Sequence, residues 1–114
     1  MSEGLLSTGV TSFLPTTLTA TYEQLLAVTE NLGNHYKEAT GAKIRGIYYE
    51  GPYFTETFKG AQNPTYMRDP GVEEFHSWQD AAKGMLNKIA IAPERDGVED
   101  FVRTITGEGV TVAL

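Results

Sequence analysis

The sequence predicts an α/β protein of alternating helices and parallel strands, a partial segment of a (β/α)8 TIM barrel with about four strands. Three observations predict it. Amphipathic segments of helical period alternate with short Val- and Ile-rich segments from one end of the chain to the other. Such strict alternation implies right-handed crossovers and parallel pairing. The 114 residues accommodate about half of the eight β/α units that a barrel spreads over roughly 250. A small doubly wound sheet is the other closure open to this pattern, but its functional strand ends would lack one loop.

Taken in order, Ser2 to Ser7 carries Leu5 and Leu6 and meets Thr8-Gly9, the pattern of a helix tail closed by a C-terminal glycine. Val10 to Leu14 is a β-rich run stopped by Pro15, and the Thr16-Thr17 pair beyond it reads as a backbone cap or bend. Thr21-Tyr-Glu-Gln24 has the spacing of a capping box, in which hydroxyl and carboxamide satisfy each other's free amides. Leu25, Val28, Leu32 and Tyr36 then recur at helical spacing, widened by Leu26 and ended by Gly41, which predicts an amphipathic helix of about five turns.

Lys43 to Tyr49 is the second strand. Its Ile44, Ile47, Tyr48 and Tyr49 do not alternate, as in a parallel strand covered on both faces. Gly51 to Gly71 shows no periodicity, and a loop this long with Tyr53, Phe54, Phe58 and Tyr66 reads as functional rather than disordered. Val72 to Phe75 forms a helical turn. Ser77 then N-caps a clearer helix, with Asp80 in its first turn and Trp78, Ala81, Ala82, Met85 and Leu86 inward. Lys88 to Ala92 is the third strand, ended by Pro93-Glu94. Asp96 caps the last helix, whose Val98, Phe101, Val102 and Ile105 face inward, and Gly107 with Gly109 ends it. Val110 to Leu114 is the fourth strand. The chain starts inside a helix and stops on a strand, so residues 1–114 are expected to be a single segment truncated at both ends.

Composition narrows the function. With no cysteine, disulfide scaffolds, thiolate metal sites and thiol nucleophiles are excluded. The net charge is −6 and the nine Lys and Arg are scattered singly, so neither nucleic acid nor an anionic membrane is an expected partner. No apolar run approaches the ~20 residues of a bilayer span. Met-Ser-Glu-Gly lacks the basic-then-apolar pattern of a secretory signal, so a cytoplasmic location is the default. A small anionic substrate stays open, because a pocket needs only one or two local donors.

Glu50 is the candidate functional residue. An apolar strand ends on its carboxylate, Gly51-Pro52 forbids continuation, and α/β sheets keep their ligands at such carboxyl ends. The two histidines stand alone: His35 reads as solvated, and His76 as structural, having no second ligand at metal-binding spacing.

Tyr48-Tyr-Glu50-Gly-Pro52 followed by Lys59-Gly-Ala-Gln-Asn-Pro64 resembles the active-site stretch of N-acetylglucosamine-6-phosphate deacetylases, of the amidohydrolase superfamily. Gly9-Val-Thr-Ser-Phe-Leu-Pro-Thr16, Ile91-Ala-Pro-Glu94 and Gly109-Val-Thr-Val-Ala-Leu114 support the resemblance, in the family's order and over essentially the whole chain. It implies that Glu50 is a metal ligand, that Ala61 and Gln62 contact the amino-sugar phosphate substrate, and that the full enzyme holds a divalent ion of zinc or iron type. It also implies two later His ligands and a later Asp acting as general acid/base, so that no catalytic residue lies in this chain and all are expected after Leu114. An upstream His-x-His element would precede Met1, and the full-length family is generally homodimeric. Many members carry His where this chain has Tyr48 and Gln62. Tyr48 leaves Glu50 free to ligate, and Gln62 keeps a hydrogen-bonding group without an ionisable one. The implied reaction is hydrolysis of N-acetylglucosamine 6-phosphate to glucosamine 6-phosphate and acetate, with this partial chain inactive alone. Two other readings stand beside it: a free-standing α/β sugar-binding module using the aromatic loop, and a non-functional truncated remnant.

Overall fold

The computed structural model describes every residue from Met1 to Leu114. Along the chain lie α1 (Ser2–Ser7), β1 (Ser12–Phe13), β2 (Thr16–Thr17), α2 (Tyr22–His35), β3 (Lys43–Ile44), β4 (Ile47–Glu50), α3 (Val72–Ala81), β5 (Leu86–Ala90), α4 (Val98–Gly107) and β6 (Thr111–Ala113). β1 and β3 form a parallel pair, and the main sheet is four parallel strands in the order β2-β4-β5-β6.

That order never reverses. Right-handed crossovers between successive parallel neighbours therefore put every connecting helix on the same face, and α2 indeed packs on α3, and α3 on α4. A doubly wound sheet needs a reversal and helices on both faces. The chain has the topology of a singly wound barrel wall instead, as the alternation of its segments predicts.

The core lies between this sheet and its helices. Ile47, Tyr49, Leu86 and Ile89 from the strands meet Leu25, Phe75, Trp78, Phe101 and Ile105 from the helices, all at most 2% exposed. Trp78 is its hub, with the rings of Tyr22, Tyr49 and Tyr53 centred 5.3–6.2 Å away and its indole N–H donating to the Tyr22 carbonyl at 3.3 Å. Burial of so large a ring system dominates a domain this small.

Several elements differ from their sequence reading, each for a local reason. Thr16-Thr17 is no cap: it is β2, paired with Tyr48-Tyr49. The second strand is two, because Arg45-Gly46 breaks it; β3 pairs with β1, and β4 joins the main sheet. β4 alternates after all, with Ile47 and Tyr49 buried against the helices and Tyr48 and Glu50 half exposed on the opposite face. Ser77 is inside α3, where its hydroxyl donates to the Glu73 carbonyl at 3.1 Å, and Gly71 occupies the N-cap position. Lys83 (φ 54°) and Gly84 (φ 82°) turn the chain out of that helix. Met85 and Leu86 consequently leave it, and β5 begins at Leu86, two residues before the expected start. α4 takes its N-cap from Gly97 with no side-chain cap bond, so Asp96 does not cap it.

The capping box at Thr21 forms as the sequence predicts, with bonds of 3.1 and 3.2 Å. The buried face of α2, however, is Leu25, Thr29 and Gly33 rather than Leu25, Val28 and Leu32; Val28 is 47% exposed. Gly33 sets this rotation. It lies against the backbone of α3, where a Cβ would stand 2.5 Å from the Ala81 carbonyl oxygen.

Candidate functional site

Glu50 ends β4, and Gly51 leaves the strand with φ 86° and a cis bond to Pro52. Parallel register places Glu50 beside Ala90, and Ala90 beside Ala113. One layer down, Tyr48 lies between Thr16 and Lys88, and the Lys88 ammonium sits 4.6 Å from the centre of the Tyr48 ring. Successive strand residues alternate faces, so both layers belong to the face without helices. On the β5 side the carboxylate of Glu50 therefore has only the methyl groups of Ala90 and Ala113 in its own layer. None of the chain's ion pairs uses it.

The loop after Glu50 folds back toward the turn at Gly51. Gln62 accepts a hydrogen bond at its side-chain oxygen from the backbone N–H of Thr19 at 3.0 Å, and a second from the Thr19 hydroxyl. Thr19 follows the end of β2, so this contact ties two neighbouring strand exits together. Gly51 lies beneath the contact: a Cβ there would stand 2.3 Å from the Thr19 Oγ1 and 3.2 Å from the Gln62 Oε1. The structure thus brings Gln62 to the turn that carries Glu50. Ala61 is exposed on the same loop.

Other side chains hold the loop down. Tyr53 donates to Glu74 Oε1 at 2.9 Å, and Arg68 grips the same carboxylate with Nε at 3.1 and 3.2 Å and with Nη2 at 3.1 Å. The Arg68 guanidinium also reaches the Tyr66 carbonyl at 2.8 Å and lies over the Trp78 ring at 5.8 Å. Arg95 donates from Nε to the Phe54 carbonyl at 2.8 Å and pairs with Asp69 at 3.3 Å. Burial, with the nearby Glu74 charge, holds the Tyr53 phenol far above its ordinary range, so it remains a donor. Burial likewise raises Tyr49, whose hydroxyl is paired with that of Thr29. At the same end of the sheet the Thr55 hydroxyl donates to Glu94 at 2.5 Å and pulls that carboxyl below its ordinary value.

Thr19, Arg68, Glu74 and Arg95 escape a reading of the sequence because they lie in aperiodic segments or face a loop. Arg68 followed six residues later by Glu74 is the one trace they leave. The histidines lie outside the site, His35 paired with Glu38 at 2.6 Å and His76 with Glu108 at 2.8 Å, all four exposed at the surface.

An unpaired carboxylate with room beside it suits a hard divalent cation as one ligand among several. No group of three His, Cys, Asp or Glu side chains in this chain converges on a common point. Glu50 fits a metal as a single ligand, and by itself does not make a metal site.

No family model matches the chain. It is 37% identical over 115 residues to N-acetylglucosamine-6-phosphate deacetylase of Vibrio furnissii, covering 100% of this chain and 29% of that protein. It is 34% identical over 107 residues to N-acetylgalactosamine-6-phosphate deacetylase of Escherichia coli O157:H7, covering 93% and 28%. Its fold superposes with a TM-score of 0.82, at 32% identity, on a mutant N-acetyl-D-glucosamine-6-phosphate deacetylase of Mycobacterium smegmatis in complex with N-acetyl-D-glucosamine-6-phosphate, covering 90% of this chain and 26% of that one. The chain thus spans less than a third of the length of the proteins it matches. Sequence and fold together make this chain a relative of the N-acetylglucosamine-6-phosphate deacetylases, matched along its whole length to one stretch of theirs.

Proposed function

We propose that this chain supplies part of the barrel of an amide hydrolase that cleaves N-acetylglucosamine 6-phosphate to glucosamine 6-phosphate and acetate. The observation that carries this reading is the Glu50-Gly51-Pro52 turn closed over by Gln62, within a chain similar end to end to such deacetylases. The sugar bound to the related mycobacterial protein supports the substrate class.

In this reading Glu50 is one metal ligand, and Ala61 and Gln62 contact the amino sugar. A bound divalent ion of zinc or iron type would supply a Lewis acid and an activated water. Glu50 would hold its share of that ion from a rigid strand end. Gln62 would orient the sugar, which is where proximity lowers the barrier. The remaining ligands and the general acid/base belong to the length of the relatives that this chain does not span. In this reading residues 1–114 alone are inactive, and the enzyme works in the cytoplasm, which the lack of a secretory-signal pattern at the N-terminus supports.

Acetate release from N-acetylglucosamine 6-phosphate by purified 114-residue chain, with zinc or iron supplied, is expected to be nil. Turnover by this chain alone would sink the partial-site reading. A version extended into the flanking coding sequence should gain activity and lose it on Glu50→Gln, and an extended version indifferent to Glu50→Gln would sink the ligand assignment.

A further inference from the structure

The Thr19–Gln62 contact determines more than the position of Gln62. A backbone N–H can only donate, so the Gln62 atom that meets the Thr19 N–H at 3.0 Å has to be the carbonyl oxygen. The Thr19 hydroxyl then donates to that same oxygen. Two donors on one oxygen fix the plane and the direction of the carboxamide. Its NH2 group points away from Thr19, has no hydrogen-bond partner within the chain, and belongs to a half-exposed residue. The arrangement is possible because Gly51 brings no Cβ into the space the two side chains share.

We infer that Thr19 is a positioning residue that locks the Gln62 amide in one orientation, so that position 62 offers a fixed, neutral N–H donor to an acceptor oxygen of a ligand held at the Glu50 strand end. The ligand class rests on the sugar-phosphate reading above. Hydroxyl, acetamide carbonyl and phosphate oxygens all accept from such a donor. A carboxamide neither gains nor releases a proton in the working range of pH, so Gln62 binds and orients rather than transferring protons. A neutral His in its place would accept from Thr19 through one ring nitrogen and donate from the other, presenting the same outward group. A Glu would keep both bonds from Thr19 and present a charged acceptor instead.

That last difference makes the test. Amide hydrogen exchange would be followed by NMR on the 15N-labelled chain, and titration with N-acetylglucosamine 6-phosphate on the version extended into the flanking coding sequence, each as the parent and as Gln62→Glu, Gln62→His and Gln62→Met. The Thr19 amide should be protected in the parent and in Gln62→Glu, and exchange about tenfold faster in Gln62→Met, where no acceptor remains. Sugar affinity should survive Gln62→His and fall about tenfold or more in Gln62→Glu although the Thr19 bonds persist. Equal sugar affinity in the parent and Gln62→Glu overturns the donor role. Equal Thr19 exchange in the parent and Gln62→Met overturns the lock. A protected Thr19 in the parent together with no response of the extended version to the sugar refutes the sugar reading while upholding the lock, so the two failures are distinguishable.

Discussion

The Tyr53 hydroxyl donates to Glu74 Oε1 at 2.9 Å, and this bond joins the turn after Glu50 to the first turns of α3. Tyr53 is wholly buried, and Glu74 is shared with Arg68. Tyr53→Phe keeps the ring and its edge-on packing against Phe101, and removes the bond to the Glu74 carboxylate with the longer contact, 3.4 Å, to the Gly71 carbonyl. It should cost about 1–2 kcal/mol in urea unfolding. A loss near zero would mean that Arg68 and Arg95 hold the loop without it.

Gly33 and Gly4 should respond to alanine in opposite directions. At Gly33 the new Cβ meets backbone of α3, at 2.5 Å from the Ala81 carbonyl oxygen, and backbone cannot rotate away. Gly33→Ala should destabilise by about 2 kcal/mol or more as the two helices part. Gly4, inside α1, has nothing within 4 Å of its would-be Cβ. Gly4→Ala should stabilise by a few tenths, up to about 1 kcal/mol. Paired thermal melts decide both.

Gly51→Ala introduces a Cβ at φ 86°, into the Thr19 hydroxyl. Both effects act against the native turn, and the expected cost is about 2 kcal/mol. The telling measurement is the Thr19 amide, whose exchange should accelerate more than that of its neighbours. Uniform acceleration would instead indicate a general loss of stability.

The Thr55–Glu94 bond predicts a pH response of definite sign. Glu94 has a folded pKa below its ordinary value of 4.5, because the Thr55 hydroxyl stabilises the ionised form. The bond's contribution is therefore full above that ordinary value and is lost as pH falls through the folded pKa. Thr55→Val should move the Glu94 midpoint up to the ordinary carboxylate range in an NMR titration. An unmoved midpoint would assign the shift to the backbone and Arg95 instead.

The fold class was legible because it rests on periodicity, and periodicity reports burial. The strand end at Glu50 was legible as well: a strand ending on a carboxylate before Gly-Pro leaves a local signature. What stayed hidden depends on close approach between distant segments. The rotation of α2 is set by Gly33 against the backbone at Ala81, and no pattern within α2 reveals it. β2 is too short to show alternation and exists because Tyr48 and Tyr49 offer it a ladder. The end of α3 depends on a positive φ at Lys83, a residue type that seldom adopts one. Thr19 lies in a Thr-rich turn with no pattern of its own, and only the approach of Gln62, far along the chain, gives it a partner.

The unreversed strand order also bears on how such a chain assembles. Each main-sheet pairing joins a strand to the next one along, across sequence separations that agree within about a factor of two. Doubling a loop costs only about 0.6 kcal/mol of closure entropy. Chain entropy therefore hardly ranks the three closures, and side-chain burial decides which forms first. The β4–β5 closure brings Trp78 together with Tyr49 and Tyr53, so folding is expected to nucleate there, and truncating Trp78 should slow folding more than it speeds unfolding.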